Sequence, residues 1–231
     1  MHHWRQVSEG AWVGEYRFHG NVINMFLVDL GEGRLAVFSP GPGVAETAFA
    51  ELDGLGKLVA IVSPGAYHNA GLASWHARYP EAKLFATGSG IKRIAKLYPA
   101  LPVCAPASEL VGLSGGALSV HETPGKNGDL LVFLTRGDSV TLFSCEFLIN
   151  WEDAPSKLVF RLLFKWTQSA PGLRVAKPAA WFLGANLAEV CRYCLEKVQG
   201  HNVTCFVPCH GGVVQGEDTK GRLEEAIRAR L

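Results

Sequence analysis

Apolar residues in this chain gather in short runs that alternate between strand-like and helix-like spacing. Residues 22–30 and 34–38 are dense in Val, Ile, Leu and Phe and are joined by Gly31-Glu32-Gly33, which predicts a hairpin; Ser39-Pro40-Gly41-Pro42-Gly43 breaks its second strand. Residues 45–55 place Phe49 and Leu52 on one helical face, with Gly54 and Gly56 near the end. A buried strand over 57–63, a helix over 72–79 stopped by Pro80, a strand over 83–86 and a helix over 90–98 complete a β-β-α-β-α-β-α order.

The second half repeats that order loosely. Strands are expected over 117–122, 130–135 and 139–149, then a helix over 187–198, a strand over 204–207 and a closing helix over 220–229. Two β-rich halves, each followed by helices, imply two sheets face to face with helices outside: an α/β protein, an αββα sandwich, in a single domain spanning 1–231. Residues 151–183 are less regular and read as a lid or interface insertion within it. There Lys157, Arg161 and Lys165 recur every four residues beside an apolar row of Leu158, Leu162 and Trp166. The spacing predicts an amphipathic helix whose apolar row packs on the core, with a pocket lid, a dimer face or a contact with anionic lipid as alternatives.

Composition narrows the function classes. At 231 residues, 48% hydrophobic and 19% charged, the chain can bury one sizeable core, and a net charge of +1 supplies no general field for nucleic acid. A small-molecule substrate or ligand is the expected partner, with no nucleic acid, and a homo-oligomer is left open. The start, Met1-His2-His3-Trp4-Arg5, lacks a secretory apolar run and no window is long enough to span a bilayer, so a cytoplasmic location is expected. Six dispersed cysteines fit a reducing compartment. Cys191 and Cys194 have C-x-x-C spacing inside the helical stretch 187–198, where buried apolar roles are expected.

Several strands end in tight loops of small residues: Ser39-Pro40-Gly41, Ser63-Pro64-Gly65, Thr87-Gly88-Ser89, Thr123-Pro124-Gly125, Ser144-Cys145-Glu146 and Pro208-Cys209-His210-Gly211-Gly212. Loops of this kind let side chains from distant strands meet at one edge. Among them the segment Ile61-Val62-Ser63-Pro64-Gly65-Ala66-Tyr67-His68-Asn69-Ala70-Gly71 has the frame of a metal-binding strand-loop-helix turn presenting one histidine, His68.

In order and spacing these segments resemble the successive motifs of the metallo-β-lactamase superfamily. Its His-x-His-x-Asp-His motif falls on Ser63, Pro64, Gly65, Ala66, Tyr67 and His68, so only the last ligand survives. Its Thr-Pro-Gly-His motif falls on Thr123, Pro124, Gly125 and Lys126; its bridging Asp falls on Glu146; its final histidine falls on His210. The "SP" at Ser39-Pro40 and the Trp75 to Lys83 stretch ending in YPEAK are similar to a divergent branch with a degenerate metal-binding motif.

The resemblance implies a metallo-β-lactamase fold and, with Ser63, Gly65 and Lys126 in place of three imidazoles, the loss of one of two metal sites. The remaining site would use His68, Glu146 and His210 for one Zn, alternatively Fe or Mn, or stand as a relic with no metal. The implied activity is metal-dependent hydrolysis of a small substrate, with Tyr67 and Lys126 as candidate catalytic residues that stabilise charge or donate a proton. A non-catalytic ligand-binding or interaction module and an iron-dependent redox enzyme are the alternatives. His121, just before the Thr123 turn, is a further histidine within possible reach of the cleft.

Overall fold

The computed structural model describes residues 2–152 and 157–231; residues 153–156 of the expected lid or interface segment lie outside them. The first half runs β1 (Arg5–Ser8), β2 (Ala11–Phe18), β3 (Asn21–Gly31), β4 (Arg34–Phe38), α1 (Glu46–Leu55), β5 (Lys57–Ser63), α2 (Leu72–Arg78), β6 (Lys83–Ala86), α3 (Gly88–Leu97) and β7 (Ala105–Pro106). These seven strands form one sheet in sequence order, antiparallel from β1 to β4 and parallel from β4 to β7. Helices α1, α2 and α3 make the crossovers that parallel pairing requires. The strands β1 and β2 add an antiparallel flank that the expected hairpin did not include.

After a short helix, α4 (Leu110–Leu113), the second half runs β8 (Leu118–Glu122), β9 (Leu130–Arg136), β10 (Ser139–Ser144), β11 (Leu148–Trp151), α5 (Leu158–Trp166), β12 (Gly172–Val175), α6 (Lys177–Leu183), α7 (Leu187–Gln199), β13 (Val203–Pro208), β14 (Val214–Gln215) and α8 (Thr219–Arg228). The second sheet has the order β14-β13-β10-β9-β8, and β11 pairs with β12 as a separate ribbon. The expected strand over 139–149 is therefore two strands. Residues 145–147 bend between them, and the second piece leaves the sheet to pair with β12.

Period-two alternation explains why the second sheet is buried on both faces. On β9, Leu130, Val132 and Leu134 join the core between the sheets, while Leu131 and Phe133 join a second core beneath α6, α7 and α8. Phe143 on β10 and Leu142 beside it divide in the same way. The sheets meet where the Phe143 ring stacks on Phe26 of β3 at 5.2 Å and leans on Phe38 of β4 at 5.6 Å. Cys191 and Cys194 are buried in the second core, in the packing role expected of them.

Helix α5 departs from its expected orientation. Leu158, Leu162 and Trp166 are 60%, 58% and 77% exposed, so the row expected to pack on the core faces solvent. Phe160 and Phe164, half a turn away, line a cavity instead, with Phe160 still 41% exposed. Periodicity located the helix; the aromatic pair decided which side turned in. Among the described residues no helix is long and apolar enough to cross a membrane.

Candidate metal centre

Three loops at the C-terminal ends of strands deliver the candidate residues. His68 follows β5, Glu146 follows β10 and His210 follows β13. Strands β10 and β13 are parallel and register Ser144 opposite Pro208, so the next two residues after each strand emerge side by side: Cys145 near Cys209, and Glu146 near His210. The Cys209 N–H donates to the Ser144 carbonyl at 2.8 Å and extends that pairing past the sheet edge.

Glu146 is the centre of the cluster. Its Oε1 lies 2.9 Å from His68 Nε2 and its Oε2 lies 3.4 Å from His210 Nε2. The two imidazoles meet edge to face with centroids 5.3 Å apart. Burial opposes ionisation of Glu146, but the charge of His68 and the hydrogen bond from His210 outweigh it and hold the carboxyl below its ordinary range. Burial likewise opposes the His68 imidazolium, and Cys209 and Glu146 together outweigh it and raise its pKa well above the usual value.

His68 is positioned by polar groups that the sequence did not flag. Ser39 Oγ, after β4, lies 2.8 Å from His68 Nδ1, and Ser39 holds a positive φ of 57° to reach it. Ser63 is buried and donates to the carbonyls of Gly65 and His68, both at 3.0 Å. It braces the loop that carries His68. His210 lies against Trp151, with ring centroids 5.5 Å apart, and its Nδ1 is buried without a hydrogen-bond partner among the described residues. Asn24 of β3 donates to the carbonyls of Pro208 at 2.7 Å and Gly211 at 2.8 Å, fixing the His210 loop on both sides.

Asp129 is the main residue that sequence reasoning missed. It is fully buried, and its Oδ2 accepts from the backbone N–H of Glu146 at 2.7 Å and of Phe147 at 3.3 Å, holding the bend that presents Glu146. Burial and the Glu146 charge push its carboxyl well above the usual range. The signal was available: an acid directly before the apolar run Leu130-Leu131-Val132-Phe133-Leu134 has no water to face. Asp129→Ala should lower stability by about 1–3 kcal/mol in urea denaturation, because two N–H groups lose their acceptor, and Asp129→Asn should cost less by retaining a carbonyl oxygen.

Cys145 and Cys209 form a second donor group with His68, their ligand atoms all within 4.8 Å of one another. Both are fully buried. Burial raises the Cys209 thiol, but hydrogen bonding from Cys145 and the charge of His68 more than reverse this and bring it to about 5; burial and Cys209 drive Cys145 upward. Their positions directly before Glu146 and His210 in two matched loops were the sequence signal for this pair.

The candidates outside the cluster differ in placement. Tyr67, 46% exposed, stands on the cavity wall, donates to the Phe182 carbonyl at 3.4 Å and carries the Arg93 guanidinium 4.9 Å above its ring. Lys126 is exposed; its backbone N–H donates to the Gly184 carbonyl at 3.3 Å, and among the described residues it forms no ion pair with Glu146. His121 is not brought to the cluster. It contacts Ser119 Oγ at 2.6 Å and the Phe133 ring, on the side of the second sheet that faces the helices.

A metal is compatible with the donor set. Ligand atoms on a tetrahedral ion with bonds of about 2.0–2.1 Å are roughly 3.4 Å apart. His68, Glu146 and His210 offer atoms within 4.8 Å of one another, with the two pairs through Glu146 at 2.9 and 3.4 Å. Ser39 on His68 Nδ1 supplies the outer hydrogen bond that commonly orients a ligating imidazole. Ser63, Gly65 and Lys126 offer no such set. Gly65 has no side chain, and even a Cβ there would lie 3.0 Å from Asp129 Oδ1.

Two sheets face to face, helices outside, and an imidazole–carboxylate cluster at the strand ends define a metallo-β-lactamase-like fold, and comparison with solved structures agrees. The chain is similar to the DIM-1 metallo-β-lactamase with a TM-score of 0.64 at 15% identity, over 98% of this chain and 96% of that one. TMB-1 gives 0.63 at 16% identity over 98% and 96%, and a metallo-β-lactamase from Pontibacter korlensis gives 0.61 at 12% over 97% and 98%. No protein-family sequence model matches the chain, and no curated protein matches it in sequence. The shared property is the fold.

Proposed function

We propose that the chain is a metal-dependent hydrolase of a small substrate, holding one divalent ion at His68, Glu146 and His210. The observation that carries this reading is the convergence of three donors from sequence positions 68, 146 and 210, with Glu146 and His210 also lining a cavity of about 360 Å³. A bound ion would supply Lewis-acid polarisation of a substrate carbonyl or phosphoryl oxygen and would make a water molecule acidic enough to attack. The chain's own part is positional. Glu146 and His210 present their ligand atoms at the cavity floor with His68 beside Glu146, Ser39 lies on the ring of His68, and Trp151 packs against His210. Tyr67 is the better supported proton donor or charge stabiliser because its phenol belongs to the cavity wall; Lys126 would act only from the exposed rim.

The reading expects at most one ion per chain. Elemental analysis of untagged protein purified without added metal should return no more than one equivalent, zinc favouring hydrolysis and iron favouring redox chemistry. Lys126→His should not raise the stoichiometry, because Ser63 is committed to two backbone carbonyls and Gly65 has no donor. Two tightly bound ions would refute the single-site assignment. One observation favours a non-catalytic binding module: both carboxylate oxygens of Glu146 already pair with imidazoles. Folded protein that takes up no added metal would select that reading.

A further inference from the structure

The cavity beside Glu146 and His210 has a chemical bias of its own. Its walls are built by Ile149, Trp151, Phe160, Phe164, Phe182 and Leu183, drawn from β11, α5 and α6. Trp151 links wall to floor, with its ring 4.9 Å from Phe164 and 5.5 Å from His210 between centroids. Among the described residues, no lysine or arginine lines the space. Glu146 is the acid in the lining, and it is paired with His68 and His210. Arg93 lies over the Tyr67 ring, and the Lys126 side chain is exposed.

A carboxylate, sulfonate or phosphate lodged between the aromatic walls, away from the Glu146 and His210 floor where an ion would sit, would shed hydration and meet no lysine or arginine among the described residues, which is a penalty. An alkyl or aryl group meets aromatic and aliphatic surface, and each buried methylene improves affinity by roughly threefold to fourfold. The volume of about 360 Å³ falls within the range of small-molecule sites, about 300–1,000 Å³.

We propose that the group held by the walls of this cavity is uncharged and apolar: the alkyl or aryl acyl group of an ester, thioester or lactone, seated between Trp151, Phe160, Phe164 and Phe182. The presence of a cleavable bond rests on the hydrolase reading; the apolar occupant does not. In that reaction water adds across the acyl bond, OH going to the acyl carbon and H to the departing oxygen or sulfur, and the bond between them breaks. Phe160 and Phe182 determine specificity and touch only the acyl group.

Binding and turnover test the two parts separately. Calorimetry on the full chain, treated with a chelator so that the sulfonate cannot ligate an ion, uses uncleaved neutral amides, butanamide, hexanamide and octanamide, with hexanesulfonate as the charged counterpart. Affinity should rise about ninefold to sixteenfold for each added pair of methylenes, and hexanesulfonate should bind at least tenfold more weakly than hexanamide. Phe160→Lys and Phe182→Lys, at positions 41% and 57% exposed and so tolerant of substitution, should weaken octanamide and strengthen hexanesulfonate. Affinity independent of chain length, or sulfonate bound more tightly than amide with its affinity lost in Lys126→Met, would overturn the proposal.

In the activity arm, kcat/KM for 4-nitrophenyl octanoate should exceed that for the acetate by at least tenfold. Turnover indifferent to acyl length would overturn the apolar assignment while leaving hydrolysis intact. A graded amide series without turnover of any ester, thioester or lactone would uphold the apolar cavity and reject the cleavable acyl bond.

Discussion

Replacing His210 with alanine should abolish stoichiometric metal binding and, with it, hydrolysis in a screen of esters, thioesters, lactams and phosphoesters. The loss should be at least about 100-fold, since groups that merely support a metal ligand already cost about 10–100-fold. Glu146 would then retain one partner, His68, and face the cavity with its other oxygen unpaired. The fold should survive, because the His210 backbone is held independently: its carbonyl accepts from Asn150 N–H at 3.0 Å, and Asn24 grips the residues on either side. Cys191→Ser is the control and should leave metal content and turnover unchanged, its side chain being buried beneath the far face of the second sheet. Equal activity in wild type and His210→Ala would reject the metal mechanism.

Gly211→Ala should be the most disruptive single methyl near the site. Gly211 has a φ of 102°, which disfavours any side chain, and a Cβ there would lie 1.9 Å from the Asn150 carbonyl oxygen. That carbonyl is engaged by Gly212 N–H at 2.9 Å, so the loop and β11 would have to separate. Combining positive-φ strain with overpacking, the expected loss is about 3–5 kcal/mol in chemical denaturation. Because the same contact sets the position of His210, metal affinity should fall in whatever folded protein remains. Wild-type stability and metal content in Gly211→Ala would show that the loop tolerates displacement and that its geometry does not define the site.

The resemblance pointed to His68, Glu146 and His210 through three short loops whose residue types are individually unremarkable, and the fold brings all three together. Their supports were less legible. Ser39 looked like part of a strand-breaking loop, yet its hydroxyl orients His68. Asp129 looked like the lead-in to a strand, yet it anchors the bend at Glu146. Both act through partners distant in sequence, which periodicity and local spacing do not report. The split of the 139–149 stretch into β10 and β11 has the same origin. Apolar residues run through it without pause, and only the Asp129 bonds to two successive N–H groups, together with pairing to β12, mark the break.

By itself the sequence determined the alternation of strands and helices, the two-sheet sandwich and the absence of imidazoles at Ser63, Gly65 and Lys126, because these depend on residue type and on spacing within one element. The tertiary structure alone decided which faces turned inward. It set Leu158, Leu162 and Trp166 outward and Phe160 and Phe164 toward the cavity, and it set Cys145 beside Cys209. The physical reason is that a helix with apolar residues on two faces, or two strands of unknown register, has near-equivalent local solutions. Only packing against the rest of the chain, here β10 on β13 and Trp151 on Phe164, selects one of them.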